Sequence, residues 1–249
     1  MISKPRQTGT PTRTRVPLLI RAAAAIARGG LSLLARVSVH GLEDLPRSGS
    51  LIVVANHLSN ADPPLVVGWL TPVLGRPLHI LAKEALFVGP VGVLLRSQGM
   101  MPVRAGGSDM EAFRMARGVL DRGEVLCIFP EGTRSRTGTL QEPKPGVAML
   151  ATRTGAMILP VGISGADRFV SPGQRTPRLR APITVRVGRP FTVHMDASLT
   201  RRAALSRASD EIMEHIAALV EPRHRGRFSG GEAGRGEIMD AAWEQSNRS

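Results

Sequence analysis

The chain has 249 residues, of which 42% are hydrophobic, so it is long enough for one domain with a substantial core and short appendages. Its formal net charge of +13 favours an anionic partner such as a phosphate, a nucleic acid or an acidic membrane surface. Aromatic residues make up only 3% of the chain and Tyr is absent, which argues against a nucleic-acid partner because stacking on bases needs aromatic rings. The single cysteine, Cys127, excludes a disulfide within the chain and is predicted to be an inert thiol inside an apolar strand.

The N-terminal region divides into two segments. Residues 1–15 are polar and basic, and we predict that they are disordered. Residues 16–36 are largely apolar, but Arg21 and Arg28 interrupt both the span of about 20 apolar residues that a transmembrane helix needs and the apolar core of a signal peptide. Because these arginines are seven residues apart, they lie within about 20° of each other on a helix. We therefore predict an amphipathic helix in the membrane interface, with a helix packed on the core as the alternative.

Strand and helix patterns alternate along residues 37–221, which we predict to form a single α/β domain. The predicted strands are two within residues 37–54, around a turn at 46–49, and four more at 78–82, 124–129, 157–163 and 183–187. The predicted helices lie at 63–70, 108–122 (opened by a capping box at 108–111), 147–152 and 199–220. Residues 165–182 are predicted to form a basic loop, and the Gly-rich, charged residues 222–249 are predicted to be disordered.

The first chemical motif follows the apolar run Leu51–Ala55, which reads as a short buried strand. His57 then lies on a loop at the strand end, and Asp62 lies where Pro63 and Pro64 favour the first turn of a helix. A neutral imidazole can act as a general base, and a neighbouring carboxylate fixes its tautomer and stabilises the imidazolium that forms. The alternative is that Asp62 is an ordinary helix N-cap and His57 a solvated loop residue.

The second motif is Phe129 to Ser135, where a strand end leads into a Gly-containing turn. Free backbone N–H groups in such a turn, together with the planar guanidinium of Arg134, suit an anion. Glu131 could accept a hydrogen bond from a substrate hydroxyl or hold an arginine in place. Arg104 and Lys144 are further candidates for binding a phosphate, and a solvated surface turn is the alternative reading of the whole motif.

Four motifs occur in order along about residues 35–190: Asn56-His57 with Asp62, Gly99 to Arg104, Phe129 to Ser135, and Leu159-Pro160-Val161. In this order and spacing they resemble the glycerolipid acyltransferase family, which includes the bacterial 1-acylglycerol-3-phosphate (lysophosphatidic acid) acyltransferases. For the fold, the resemblance implies one α/β domain with a mixed central sheet flanked by helices.

For the site, the resemblance implies that His57 is the general base on the acceptor hydroxyl and that Asp62 orients it. It also implies that the glycerol phosphate is bound by five residues: Arg104, Glu131, Gly132, Thr133 and Arg134. No cofactor or metal is expected, and no His/Cys/Asp cluster has the spacing of a metal site.

The expected reaction transfers a fatty acyl group from acyl-CoA or acyl carrier protein to the sn-2 hydroxyl of 1-acylglycerol 3-phosphate, giving phosphatidic acid in phospholipid synthesis. The expected location is the cytoplasmic face of the cell membrane, as a peripheral or monotopic protein without a nucleic-acid partner. Two alternatives stay open. One keeps the chemistry but uses glycerol 3-phosphate, another lysolipid or a glycolipid as acceptor, and the other is an inactive basic membrane-binding protein.

Overall fold

The computed structural model describes residues 16–43, 45–97, 99–104, 109–170 and 176–230, so the predicted disorder of residues 1–15 and the predicted capping serine at 108 lie outside it. The strands are β1 (Arg36–His40), β2 (Leu51–Ala55), β3 (Leu78–Lys83), β4 (Met101–Val103), β5 (Val125–Ile128), β6 (Met157–Ser164) and β7 (Pro182–Val187). The α-helices are α1 (Leu18–Leu34), α2 (Asp62–Leu74), α3 (Gly89–Ser97), α4 (Asp109–Asp121), α5 (Gly146–Thr154), α6 (Ala166–Phe169) and α7 (Arg201–Ala217). Short 3-10 helices cover Glu84–Leu86, Pro222–His224 and Gly226–Gly230.

The seven strands form one sheet in the order β1-β7-β6-β2-β5-β3-β4. Strands β2 to β6 run parallel to one another, whereas β7 is antiparallel to β6 and parallel to β1. The sheet is therefore mixed, as predicted. The two strands on either side of the turn at 46–49 do not pair with each other, because β1 pairs with β7 while β2 pairs with β5 and β6.

Strand β2 is the centre of the core, and all five of its residues are buried. Leu51, Val53 and Ala55 pack into a cluster that includes α1 and α2, whereas Ile52 and Val54 pack into a second cluster that includes α4, α5 and α7. Side chains alternate between the faces of a strand, so a strand covered on both faces needs a continuous apolar run. This requirement explains why the predicted buried strand is correct here.

Helix α1 has an inward and an outward apolar face. Ala24 and Leu31 are buried in the core cluster against α2. The two helices are in close contact, because a Cβ added at Gly68 of α2 would lie 3.2 Å from a backbone nitrogen of α1. Ile26 and Leu33 point outward and are 73% and 83% exposed. The core-packed alternative is therefore correct for one face, and α1 is part of the folded domain rather than an appendage to it. For the outward face, the membrane-interface helix stays a prediction.

Within the described ranges, no helix is long and apolar enough to cross a membrane.

The predicted disorder of the C-terminal tail is wrong for residues 222–230. These residues form the two last 3-10 helices, in which His224 and Phe228 are buried. Phe228 packs into the second core cluster beside Leu140 and Ile212. The prediction failed because it rested on the Gly-rich, charged composition of the whole tail, which one buried aromatic residue hardly changes. Residues 231–249 lie outside the part of the chain that the structure describes.

Candidate active site

The two predicted motifs meet at one edge of the sheet. Strands β2 and β5 are parallel neighbours, so their carboxyl ends lie side by side. The β2–α2 loop (residues 56–61) and the β5–α5 loop (residues 129–145) both begin at this edge. A crevice at the carboxyl ends of parallel strands is the usual position of a ligand site in such sheets.

His57 and Asp62 form the predicted pair. The Nδ1 atom of His57 donates to Oδ2 of Asp62 at 2.9 Å, and the same oxygen accepts from the backbone N–H groups of Leu58 and Ser59 at 2.6 and 2.7 Å. Asp62 is completely buried, and burial raises the pKa of its carboxyl, while the hydrogen bond from His57 and the two N–H groups oppose that rise. The N-cap alternative is not observed, because Ala61 occupies the N-cap position of α2. With Nδ1–H committed to the carboxylate, Nε2 is left to accept a proton.

Three residues of the β5–α5 loop contact His57, two through its backbone and one through its ring. The backbone N–H of His57 donates to Oε1 of Glu131 at 2.9 Å, and its carbonyl accepts from the N–H of Ser135 at 2.8 Å. The ring of Phe129 stacks on the imidazole, with ring centroids 4.3 Å apart and an angle of 25° between the planes. The imidazole is 18% exposed, so one edge of the ring still reaches solvent.

Glu131 joins the two loops, which differs from the substrate-contact role expected from the sequence. Its Oε1 accepts from His57, and its Oε2 accepts from the backbone N–H of Gln141 at 3.0 Å. Burial raises the pKa of this carboxyl to about 7, although both backbone N–H groups favour the ionised form. Both oxygens are thus occupied by the protein, so Glu131 is a positioning residue in this geometry.

Gly132, Thr133, Arg134 and Lys144 form the open surface of the same loop. All four are exposed, and Gly132 has φ +69°, which favours glycine. A Cβ at Gly132 would also lie 2.7 Å from Cε of Lys144, so the lysine side chain lies directly against the turn. Among the described residues, neither Arg134 nor Lys144 forms an ion pair. The turn therefore offers two unneutralised cations close to the His57–Asp62 pair.

Arg104 follows β4, at the same edge of the sheet but two strands beyond β5. Because neighbouring strands are about 4.8 Å apart, this position is about 10 Å from β5. Its side chain is 78% exposed and its Nε lies 3.4 Å from Oε2 of Glu84. The structure places Arg104 on the correct edge but not in contact with His57 or with the turn at 131–134, so its phosphate contact stays a prediction.

Three residues that support the site were not assigned a role from the sequence. Asn56 is fully buried, and its amide donates to the carbonyl of Ile163 at 2.8 Å and accepts from the N–H of Ile163 at 2.7 Å, which fixes the end of β2 against β6. Ser135 and Gln141 supply the backbone N–H groups that bind His57 and Glu131. The role of Asn56 could have been predicted, because a polar amide directly after an apolar strand needs hydrogen-bond partners when it is buried. The roles of Ser135 and Gln141 could not, because they act through backbone N–H groups that their side chains do not reveal.

A groove of about 520 Å³ lies between α5 and α7 and is lined by residues such as Met149, Leu205 and Asp210. None of the predicted site residues lines it, so this groove is separate from the site at the sheet edge. In the described parts of the chain, no three His, Cys, Asp or Glu side chains are grouped as metal ligands. That the reaction needs no cofactor stays a prediction.

The sequence was compared with known families and proteins. A model of the Acyltransferase family matches residues 36–164. The 1-acyl-sn-glycerol-3-phosphate acyltransferase of Borreliella burgdorferi is 30% identical over 141 residues, which are 54% of this chain and 53% of that protein. The chloroplastic 1-acyl-sn-glycerol-3-phosphate acyltransferase LPAT1 of Arabidopsis thaliana is 28% identical over 142 residues, which are 55% of this chain and 38% of that protein. The chain thus matches about half or less of the length of these relatives.

The fold was compared with solved structures. The crystal structure of the 1-acyl-sn-glycerophosphate acyltransferase PlsC from Thermotoga maritima superposes with a TM-score of 0.62 at 25% sequence identity, covering 78% of this chain and 76% of that one. The segment matched by the family model is just over half of the chain and contains His57, Asp62 and the turn at 131–134. This protein therefore belongs to the Acyltransferase family.

Proposed function

We propose that this protein transfers a fatty acyl group from an acyl thioester to the sn-2 hydroxyl of 1-acylglycerol 3-phosphate, giving phosphatidic acid and a free thiol. The observation that carries the proposal is the His57–Asp62 pair held against an exposed turn with two unneutralised cations. A lysophospholipid acceptor needs both a base for its hydroxyl and cations for its phosphate. The names of the bacterial and plant relatives support the same acceptor.

The reaction needs one base and one oxyanion site. Nε2 of His57 takes the proton from the acceptor hydroxyl as its oxygen forms a C–O bond with the thioester carbonyl carbon. The resulting oxyanion is stabilised by hydrogen-bond donors, and its collapse breaks the C–S bond. The departing thiolate takes the proton back from His57. Asp62 keeps the imidazole in the required tautomer and stabilises its charged form during the transfer.

The acceptor phosphate would be bound by the turn of the β5–α5 loop. The guanidinium of Arg134 can bind two phosphate oxygens at once, and the ammonium of Lys144 adds a second charge. Both side chains are exposed and their charge is not neutralised by a described carboxylate. Arg104 would join them only if the acceptor extends along the sheet edge toward β4.

The outward face of α1 supports binding to the cytoplasmic face of a membrane. Ile26 and Leu33 lie on one exposed apolar stripe of α1, and exposed Leu86 and Val93 extend the apolar surface in the segment before and within α3. Arg21 and Arg28 lie at the border of the stripe on α1, where they can reach anionic headgroups. A peripheral protein bound in this way would find its lipid acceptor in the same membrane surface that α1 contacts.

The test measures thioester consumption by the purified protein with oleoyl-CoA, palmitoyl-CoA or acyl carrier protein thioesters. Lysophosphatidic acid is compared with glycerol 3-phosphate and other lysolipids, and His57→Ala is compared with His194→Ala, an exposed histidine outside the site. We expect lysophosphatidic acid to have the highest kcat/KM and only His57→Ala to abolish turnover. A higher kcat/KM for another acceptor would keep the mechanism but contradict the substrate. No turnover with any pair would favour the inactive membrane-binding alternative.

A further inference from the structure

The last described segment, residues 222–230, lies along the β5–α5 loop, and we name it the C-terminal strap. The carbonyl of His224 accepts from the backbone N–H of Leu140 at 2.7 Å, and Nδ1 of the same histidine donates to the carbonyl of Gly138. A Cβ at Gly226 would lie 3.2 Å from the carbonyl oxygen of Leu140, so the backbones are in direct contact. The strap therefore binds main-chain groups of the loop at Gly138 and Leu140.

Arg227 adds a second attachment, through ion pairs with two carboxylates. Its Nε and Nη2 lie 2.6 and 2.8 Å from the two carboxylate oxygens of Glu142, and Nη2 lies 2.5 Å from Oδ1 of Asp210. Glu142 belongs to the β5–α5 loop, whereas Asp210 belongs to α7. One guanidinium thus ties the loop to a helix of the core. Bidentate pairs of this kind fix geometry better than a single contact does.

The strap is itself anchored. Phe228 is buried in the core cluster that also contains Leu140 and Ile212. The strap can therefore resist movement of the loop rather than move with it.

The attachment points lie next to the residues of the site. Leu140 precedes Gln141, whose N–H binds Glu131, and Glu131 in turn binds the backbone of His57. Glu142 is two residues before Lys144, whose side chain lies against Gly132. A shift of the loop at residues 138–142 would therefore move both the base and the cationic turn.

We infer that His224 and Arg227 are positioning residues, and that the C-terminal strap holds the β5–α5 loop in the conformation that binds the phosphate of the acceptor. This inference rests on the proposed function for its kinetic consequence. His224 and Arg227 would act through the loop and would not contact the reacting atoms themselves. Loss of the strap contacts should lower the fraction of molecules whose loop is in the binding conformation, and this raises the KM for the acceptor. Because a bound phosphate would restore that conformation at saturation, kcat and the KM for the donor should change little.

The kinetic test compares Arg227→Ala with Arg207→Ala. Arg207 is the matched control, because it forms an exposed ion pair with Glu214 on the outside of α7 and does not contact the loop. We expect Arg227→Ala to raise the KM for lysophosphatidic acid about fivefold, while kcat and the donor KM stay within about twofold and the control changes neither. The same change made in a Glu142→Ala background, which removes the loop's partner for Arg227, should have a smaller effect. Equal behaviour of the two arginine variants would overturn the inference.

The second test does not depend on turnover. Hydrogen exchange of the amides in residues 136–144, measured without substrate, should be faster in Arg227→Ala and in His224→Leu than in the unmodified protein. His224→Asn should restore slow exchange, because its side-chain amide can donate to the carbonyl of Gly138 in place of Nδ1. Unchanged exchange in His224→Leu and Arg227→Ala would refute the positioning role. An inactive protein with the expected exchange pattern would refute the proposed function and leave the strap in place.

Discussion

Glu131 offers the sharpest test of how the site is held together, because its carboxyl is buried and titratable. The change to examine is Glu131→Gln, which keeps the shape of the side chain but replaces one acceptor oxygen with an NH2 group. In the folded protein both oxygens accept backbone N–H groups, from His57 and from Gln141. One of these donors would face another donor in the variant, and an unsatisfied buried N–H group costs about 1–3 kcal/mol.

The variant should also change how stability depends on pH. Burial raises the pKa of Glu131 from 4.5 to about 7, so the folded carboxyl binds its proton more tightly than the unfolded one. The stability that this proton contributes is complete below pH 4.5 and is lost as the pH rises through 7. At about 1.4 kcal/mol per pH unit, the loss amounts to about 3 kcal/mol across this window.

The assay is urea unfolding of both proteins at half-unit steps between pH 5 and 8. We expect the free energy of unfolding of the unmodified protein, minus that of Glu131→Gln, to fall between pH 5 and 7 and to level off above it. The difference cancels the titrating groups that do not interact with Glu131, so only Glu131 and its charged neighbours His57 and Asp62 contribute to it. A difference that stays constant or rises with pH would refute the reasoning, because it would mean that the two N–H donors outweigh burial and keep the carboxyl ionised.

Three further predictions concern single features of the site and surface. Gly132→Ala should raise the acceptor KM at least about threefold in steady-state kinetics, because φ of +69° disfavours alanine and its Cβ would displace the side chain of Lys144. Asn56→Ala should lower the free energy of unfolding by about 2–4 kcal/mol in urea titrations, because it leaves two buried backbone groups of the neighbouring strand unpaired. Ile26→Gln combined with Leu33→Gln should reduce co-sedimentation with anionic vesicles, because it removes two exposed apolar side chains from the stripe on α1.

Each of these predictions has a matched control in the chain. Gly123→Ala tests positive φ alone, since its Cβ would meet nothing within 4 Å, and it should leave the acceptor KM unchanged. Asn60→Ala removes an exposed amide from the same loop as Asn56 and should leave stability unchanged. Met110→Gln removes an apolar side chain that is 58% exposed on α4, a helix that packs into the second core cluster rather than the one containing α1, and it should leave vesicle binding unchanged. A control that matches its test variant in any pair would contradict the reason given for that pair.

The sequence was sufficient for the His57–Asp62 pair because one short loop joins the two residues, with Asp62 at the first position of α2. A buried apolar strand on one side and a proline-initiated helix on the other leave few ways to close that loop. The meeting of this loop with the turn at 131–134 required the order of the strands, which periodicity does not contain. The resemblance to a family implied only that both motifs belong to one site, and the parallel pairing of β2 with β5 provides the physical reason.

The role of Glu131 and the order of the C-terminal strap could not be predicted for a different reason. The partners of Glu131 are backbone N–H groups, which every residue except proline carries, so no side-chain pattern identifies them. The apolar anchor of the strap is one aromatic residue, Phe228, within a tail whose average composition indicates disorder. Compositional arguments average over a segment, whereas burial of one side chain is decided by the cavity that the rest of the fold presents to it.

Under the proposed function, the hydrogen bonds around His57 would connect acceptor binding to the positioning of the base. The loop that carries Arg134 is the same loop whose Glu131 and Ser135 bind the backbone of His57. A phosphate bound by the turn would therefore stabilise the conformation in which Nε2 is directed at the acceptor hydroxyl. Binding energy from a part of the substrate that does not react can lower the barrier of the chemical step in this way. An acceptor without a phosphate should then lose kcat as well as affinity, whereas an anion site independent of the base would change KM alone.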